Sequence, residues 1–184
     1  MSLKYSWAST AIVLAAVLAG CTTMGNKSVA PGSVTVPAAG EYVSLNEVMV
    51  VVDASGSMYP PTSFNYAKAL TQAMVKAFPD GNYKAGLLSY GGEWTFQWID
   101  HPMTPLDRPT LEKSADDLRF LTGSTPLNDA IDYVGKKYFT PSANRALIII
   151  SDGKTEPHPV LDTAVKMAYG GNLCIHTIQV NCDP

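Results

Sequence analysis

Apolar positions along this chain change period several times, and each change marks an element. In "EVMVVVD" an unbroken apolar run from Val48 to Val52 ends on Asp53. Such β-branched runs, apolar on both faces, predict a buried strand. "SFNYAKALTQAMVKAF" then places Phe64, Ala67, Leu70, Met74 and Phe78 at helical spacing, which predicts a helix over 63–78. "PDGN" breaks it. "YKAGLLSY" (83–90) reads as a second strand, and "EWTFQWI" (93–99) alternates, with Trp94, Phe96 and Trp98 on one face. With only Gly91 and Gly92 between them, these two runs predict an antiparallel hairpin, its aromatic stripe packed under a helix. "LDRPTLEKSADDLRFL" reads as helical in its later part, and "TPLNDAIDYVGKKYF" as a helix with Pro126 in its first turn. "RALIIISDG" repeats the opening device, a buried run closing on Asp152. "VLDTAVKMAYGG" is a glycine-closed helix, and "LCIHTIQV" the last strand.

Strands separated by helices predict an α/β fold: three layers, a doubly wound, mainly parallel sheet and one antiparallel edge strand. In such sheets ligands bind beyond the carboxyl ends of the strands, where strand order reverses. Asp53 and Asp152 both fall at that edge.

The first forty residues follow other rules. Lys4 precedes "AIVLAAVLA" (11–19), an apolar core of signal-peptide length and too short to span a bilayer comfortably. "LAGC" (18–21) resembles the lipobox of bacterial lipoproteins. That resemblance implies a signal peptide over 1–20, cleavage before Cys21 and lipid on that cysteine. Several acyl chains would hold the protein at a membrane where one is marginal. Thr22 after the cysteine implies the outer membrane in a Gram-negative host. Residues 21–40, small, polar and proline-dotted, read as a flexible tether, with a short strand in "SVTV" as the alternative. Residues 41–184 form the folded domain. An exported chain meets an oxidising compartment, but Cys174 and Cys182 lie eight residues apart, too far along a strand to pair with each other.

Composition narrows function. Of 184 residues, 16% are charged and the formal net charge is −3, with no basic cluster. That balance gives no reason to expect nucleic acid as a partner. No phosphate-binding glycine loop and no nucleophile elbow are present. His101, His158 and His176 stand in no pairing that would activate a serine.

The candidate chemistry lies in three separated segments. "DASGSM" supplies Asp53, Ser55 and Ser57. "GSTPLNDAI" supplies Thr125, and "IIISDG" supplies Asp152. All are hard oxygen donors, which suit Mg²⁺, Mn²⁺ or Ca²⁺ rather than a thiolate-bound metal. Gly56 lets the first loop turn sharply. In order and spacing, the segments resemble the DxSxS motif and second and third loops of the von Willebrand factor A domain family, from about Glu41 onward. The resemblance implies a Rossmann-like fold and a metal-ion-dependent adhesion site at Asp53, Ser55, Ser57, Thr125 and Asp152. It also implies a binding module and not an enzyme, whose ion takes an Asp or Glu of a protein ligand. Two carboxylates only balance a divalent ion, and neutral hydroxyls leave it electron-poor at its open position. Tyr59, Gly123 and Ser124 would form the ligand rim. The family fold continues past the last strand into a closing helix, so this chain is expected to end short of it, with apolar sheet surface exposed. Two other readings stay open: a structural envelope lipoprotein whose metal stiffens the loops, and a metal-dependent hydrolase. An aspartate ending the first strand is also similar to haloacid-dehalogenase-like phosphatases, but Ser55 stands where they need a second aspartate.

Overall fold

The computed structural model describes residues 44–59, 62–92, 97–155, 157–169 and 172–181, all within one compact unit, Glu41–Asn181. The signal peptide, Cys21, the tether with its "SVTV", Cys182 and the whole Trp94/Phe96/Trp98 stripe lie outside the described residues or side chains. Cys174 is exposed and has no disulfide partner among the described residues. No described helix is long and apolar enough to cross a membrane.

Five strands form one sheet: β1 (Glu47–Asp53), β2 (Lys84–Tyr90), β3 (Gln97–Pro105), β4 (Arg145–Ser151) and β5 (Leu173–Gln179). Their spatial order is β3-β2-β1-β4-β5. Every neighbour pair is parallel except β2 with the edge strand β3. The helices are α1 (Ser63–Ala77), α2 (Arg108–Asp116), α3 (Leu127–Lys137) and α4 (Pro157–Tyr169).

Alternation along β1 divides the core into the two faces of the sheet. Val48, Val50 and Val52 pack with Phe64, Ala67 and Val75 of α1 and Leu111 and Ala115 of α2. Met49 and Val51 pack with Leu127, Ile131 and Val134 of α3, against which Val160 and Met167 of α4 also rest. Every β1 residue is buried, which accounts for the absence of a polar face in its sequence. The result is the three-layer, mixed-sheet α/β fold with one antiparallel edge.

Three boundaries differ from expectation. The antiparallel edge strand runs to Pro105, not only to Ile99, and pairs Gln97 with Tyr90, so the connection is six residues rather than two glycines. Pro102 and Pro105 hid the strand in the sequence, yet an edge tolerates prolines because one side of it has no ladder to complete. The next helix occupies the early part of its segment, ending at Asp116, with Pro109 in its first turn where the missing N–H costs nothing. Beyond it Leu118 is buried, and Leu121 donates its N–H to the Ala54 carbonyl at 3.0 Å. Lastly, Pro126 is the N-cap of α3 rather than part of its first turn.

Candidate metal centre

From β1 the chain crosses to β2 on one side. From β4 it crosses to β5 on the other. The carboxyl ends of β1 and β4 therefore flank the point where strand order reverses, the place such sheets offer to a ligand. Val52 pairs with Ile150, so the residues that follow, Asp53 on one strand and Ser151 and Asp152 on the other, emerge side by side.

The first loop folds back on itself at once. Ser55 donates its N–H to Asp53 Oδ1 at 2.9 Å, a local aspartate turn. Gly56–Met58 then form a short 3₁₀ turn. This brings the Ser55 and Ser57 hydroxyls within 3.3 Å of each other. Ser57 Oγ donates to Asp152 Oδ1 at 3.3 Å. Asp53, Ser55, Ser57 and Asp152 thus form one hydrogen-bonded cluster drawn from two strand ends. Asp53 and Ser55 are fully buried, and Asp152 nearly so.

Thr125 reaches the same corner on a second loop. Gly56 N–H donates to the Gly123 carbonyl at 2.9 Å, joining the two loops, and Thr125 follows two residues later, half-buried. Its carbonyl accepts the Thr155 hydroxyl at 3.4 Å, which ties this loop to the one after β4. Of the rim candidates, Tyr59 is 69% exposed, its ring edge-on to Phe120. Gly123 and Ser124 are exposed, but Ser124 directs its hydroxyl back to the Gly92 carbonyl at 2.8 Å.

Three contributors carry no signal in the sequence motifs. Ser151 donates its hydroxyl to Asp53 Oδ2 at 2.6 Å and accepts the Gly153 N–H at 3.0 Å, bracing both loops. Strand alternation could have found it, since a buried hydroxyl at the end of β4 needs a partner across β1. Gly91 and Gly92 are the others. They do not form a hairpin turn. Gly92 donates to Thr122 at 2.6 Å and accepts from Ser124 N–H at 2.9 Å, making a parallel bridge with Gly123. A Cβ on Gly91 would fall 2.8 Å from Ser55 N, so only glycine lets these backbones meet.

The two carboxylates differ in how they are satisfied. Both oxygens of Asp53 accept a donor. Burial pushes its carboxyl above the usual range, while the Ser151 and Ser55 hydrogen bonds pull it back. Buried Tyr90 lies beside it, its phenol raised well above normal by burial and by the Asp53 charge. Asp152 Oδ1 accepts Ser57 and the Lys154 N–H. Asp152 Oδ2 has no hydrogen-bond partner, and the Lys154 ammonium stands 4.0 Å from it. A buried carboxylate oxygen without a donor is costly, and a cation among these oxygens would relieve it. The donors are two carboxylates with hydroxyls. Among the described residues no group of three or more His, Cys, Asp or Glu is gathered, at this corner or elsewhere. His101 is engaged with Thr104 and Ser114, and His176 is exposed on β5.

Known structures share this architecture. An aerotolerance-related membrane protein from Bacteroides fragilis is 22% identical, with a TM-score of 0.61 over 73% of this chain and 67% of that one. The manganese-loaded TRAP protein of Plasmodium vivax is 15% identical, with a TM-score of 0.58 over 76% and 64%. Proximal thread matrix protein 1 from the mussel byssus, with a zinc-occupied MIDAS motif, is 18% identical, with a TM-score of 0.60 over 72% and 37%. No curated protein matches the chain. The von Willebrand factor type A domain pattern matches residues 47–183, three quarters of the sequence, and the chain belongs to that family.

Proposed function

We propose that this protein is a lipid-anchored, extracytoplasmic binding module. It holds a divalent cation with Asp53, Ser55, Ser57, Thr125 and Asp152 and through it engages an Asp or Glu of a protein ligand. The observation that carries the reading is Asp152 Oδ2, buried at the sheet's switch point without a hydrogen-bond donor, on a carboxylate that the Ser57 hydroxyl already contacts. The chain's own part is to preorganise. Ser151 fixes Asp53, the Ser57 hydroxyl leans on Asp152, and the glycine bridge fixes the loop carrying Thr125. Bound there, Mg²⁺ or Mn²⁺ would supply an electropositive position for a ligand carboxylate. The manganese and zinc of the Plasmodium and mussel proteins support a divalent ion here. Family membership supports a non-catalytic, protein-binding role. The lipobox-like "LAGC" and the Bacteroides membrane protein support an anchor at Cys21 in a bacterial envelope. Exposed Tyr59 supplies one side of the rim.

Mn²⁺ titration followed by electron paramagnetic resonance tests the site. One saturable site is expected, abolished in Asp53→Ala. Capture of a ligand from envelope extract should disappear with EDTA and in Ser57→Ala. Mn²⁺ binding that never saturates would remove the site. Capture indifferent to EDTA would leave the metal only a loop-stiffening role.

A further inference from the structure

The loop after β4 carries a charge that none of the ligand oxygens needs for its own hydrogen bonding. Lys154 holds Asp152 twice. Its N–H donates to Oδ1 at 3.0 Å, and its ammonium stands 4.0 Å from Oδ2, the oxygen with no hydrogen-bond donor. The Asp152 side chain is fully buried while that of Lys154 is 54% exposed. One end of the pair is therefore fixed and the other rides on a long stem at the surface.

We infer that Lys154 is an internal stand-in for the divalent cation, and that it sets the ion affinity of the site. This inference rests on the metal-binding reading above. Two buried carboxylates at the ends of neighbouring strands repel each other and are poorly solvated. A nearby ammonium offsets part of that cost, so the domain can fold before it meets an ion. A divalent cation that takes Asp152 Oδ2 must then work against the lysine charge or displace it. Ion and ammonium share one oxygen, so each weakens the other reciprocally. The consequence is an exchangeable ion, taken up when its concentration or a ligand carboxylate favours it, in place of one locked in at folding.

The test compares Mn²⁺ affinity in wild type, Lys154→Met, Lys154→Arg and Lys136→Gln. Lys136 sits at the far end of α3 in an exposed pair with Asp132, so it controls for net charge. Lys154→Met should bind Mn²⁺ about fivefold more tightly, the scale of one partly screened charge a few ångströms away. Lys154→Arg and Lys136→Gln should match wild type. Melting supplies a second readout. Lys154→Met should melt below wild type in EDTA, and the gap should close at saturating Mn²⁺. Equal Mn²⁺ affinity in wild type and Lys154→Met would overturn the inference while leaving the metal site intact. No Mn²⁺ binding by wild type would overturn the metal reading, and this inference with it.

Discussion

The two ends of β1 and β4 both bury a carboxylate, and they treat it in opposite ways. At the amino end Glu47 is 3% exposed. Its Oε2 accepts the Thr140 N–H and its Oε1 the Thr140 hydroxyl, both at 2.8 Å. The Lys84 ammonium lies 3.5 Å away, and Arg145 is its register partner on β4. Every oxygen there has a donor, and a half-exposed lysine on the neighbouring strand faces the charge. At the carboxyl end, about 20 Å along the strands, Asp152 keeps one oxygen without a hydrogen-bond donor, and its lysine, about as exposed as Lys84, stands further off at 4.0 Å. The chain can complete a buried carboxylate when the task is to clamp strands to a loop. Leaving one incomplete, among hydroxyls, is what a site for an outside cation requires. A third carboxylate sharpens the contrast. Asp100 on β3 also has an oxygen without a hydrogen-bond partner, although Ser89 hydrogen bonds to the carboxyl. Burial lifts its carboxyl to about 6, so a proton can resolve it.

If the amino end is purely structural, breaking it costs the most stability and touches no metal. Glu47→Ala strands the two Thr140 donors and removes the carboxylate that faces Lys84. It should lose about 4 kcal/mol in urea unfolding, the scale for two buried hydrogen bonds to a charged group, with the half-exposed Lys84 adding little. Mn²⁺ affinity, measured where the variant is still folded, should stay that of wild type. A matching fall in affinity would mean that the two ends are one coupled network.

Asp100 gives the next largest effect and tests whether a proton does there what a cation does at Asp152. Its folded pKa lies above the ordinary carboxyl value of 3.8, because burial outweighs the hydrogen bonds from Ser89 and the pull of Arg119. Between these two values the folded state binds more protons than the unfolded chain. Stability therefore falls as pH rises from about 4 to about 6, by about 2–3 kcal/mol. Asp100→Asn should flatten that slope and be more stable than wild type at neutral pH. A denaturation series across this window, with EDTA present, reads the difference. Equal slopes in wild type and variant would place the proton elsewhere.

Much of this layout is legible in the residues. Val48–Val52 and Ala146–Ile150 read as buried strands, the first running into Asp53 and the second, after Ser151, into Asp152, so the runs themselves put the two candidate carboxylates at one edge of the sheet. The helix over 63–78 follows from period alone. The misses share a cause: contacts distant in sequence decide the local geometry. Gly91 and Gly92 look like a hairpin turn, but their backbone is bound up with Thr122, Gly123 and Ser124 some thirty residues on. Pro102 and Pro105 look like breakers until β3 is known to be an edge. Ser151 looks like the frayed end of a strand, and only the β1–β4 register places its hydroxyl against Asp53.

The smallest expected effect on stability is the most discriminating. Asp152→Asn keeps the shape of the side chain and deletes its charge. In EDTA it loses the Lys154 interaction, which is weak because the ammonium is half in water. It gains relief from the Asp53 charge and from the burial of an undonated oxygen. These changes oppose each other, so metal-free stability should move by no more than about 1 kcal/mol. The rise in melting temperature that Mn²⁺ gives wild type should be absent, since a neutral amide oxygen next to Lys154 is a poor ligand for a divalent ion. Comparable melting of wild type and Asp152→Asn in EDTA, with only wild type responding to Mn²⁺, separates a carboxylate kept for binding from one kept for folding. If Asp152→Asn instead loses several kcal/mol in EDTA, as Glu47→Ala should, then the carboxyl end serves the fold just as the amino end does, and the undonated oxygen is no place for an ion.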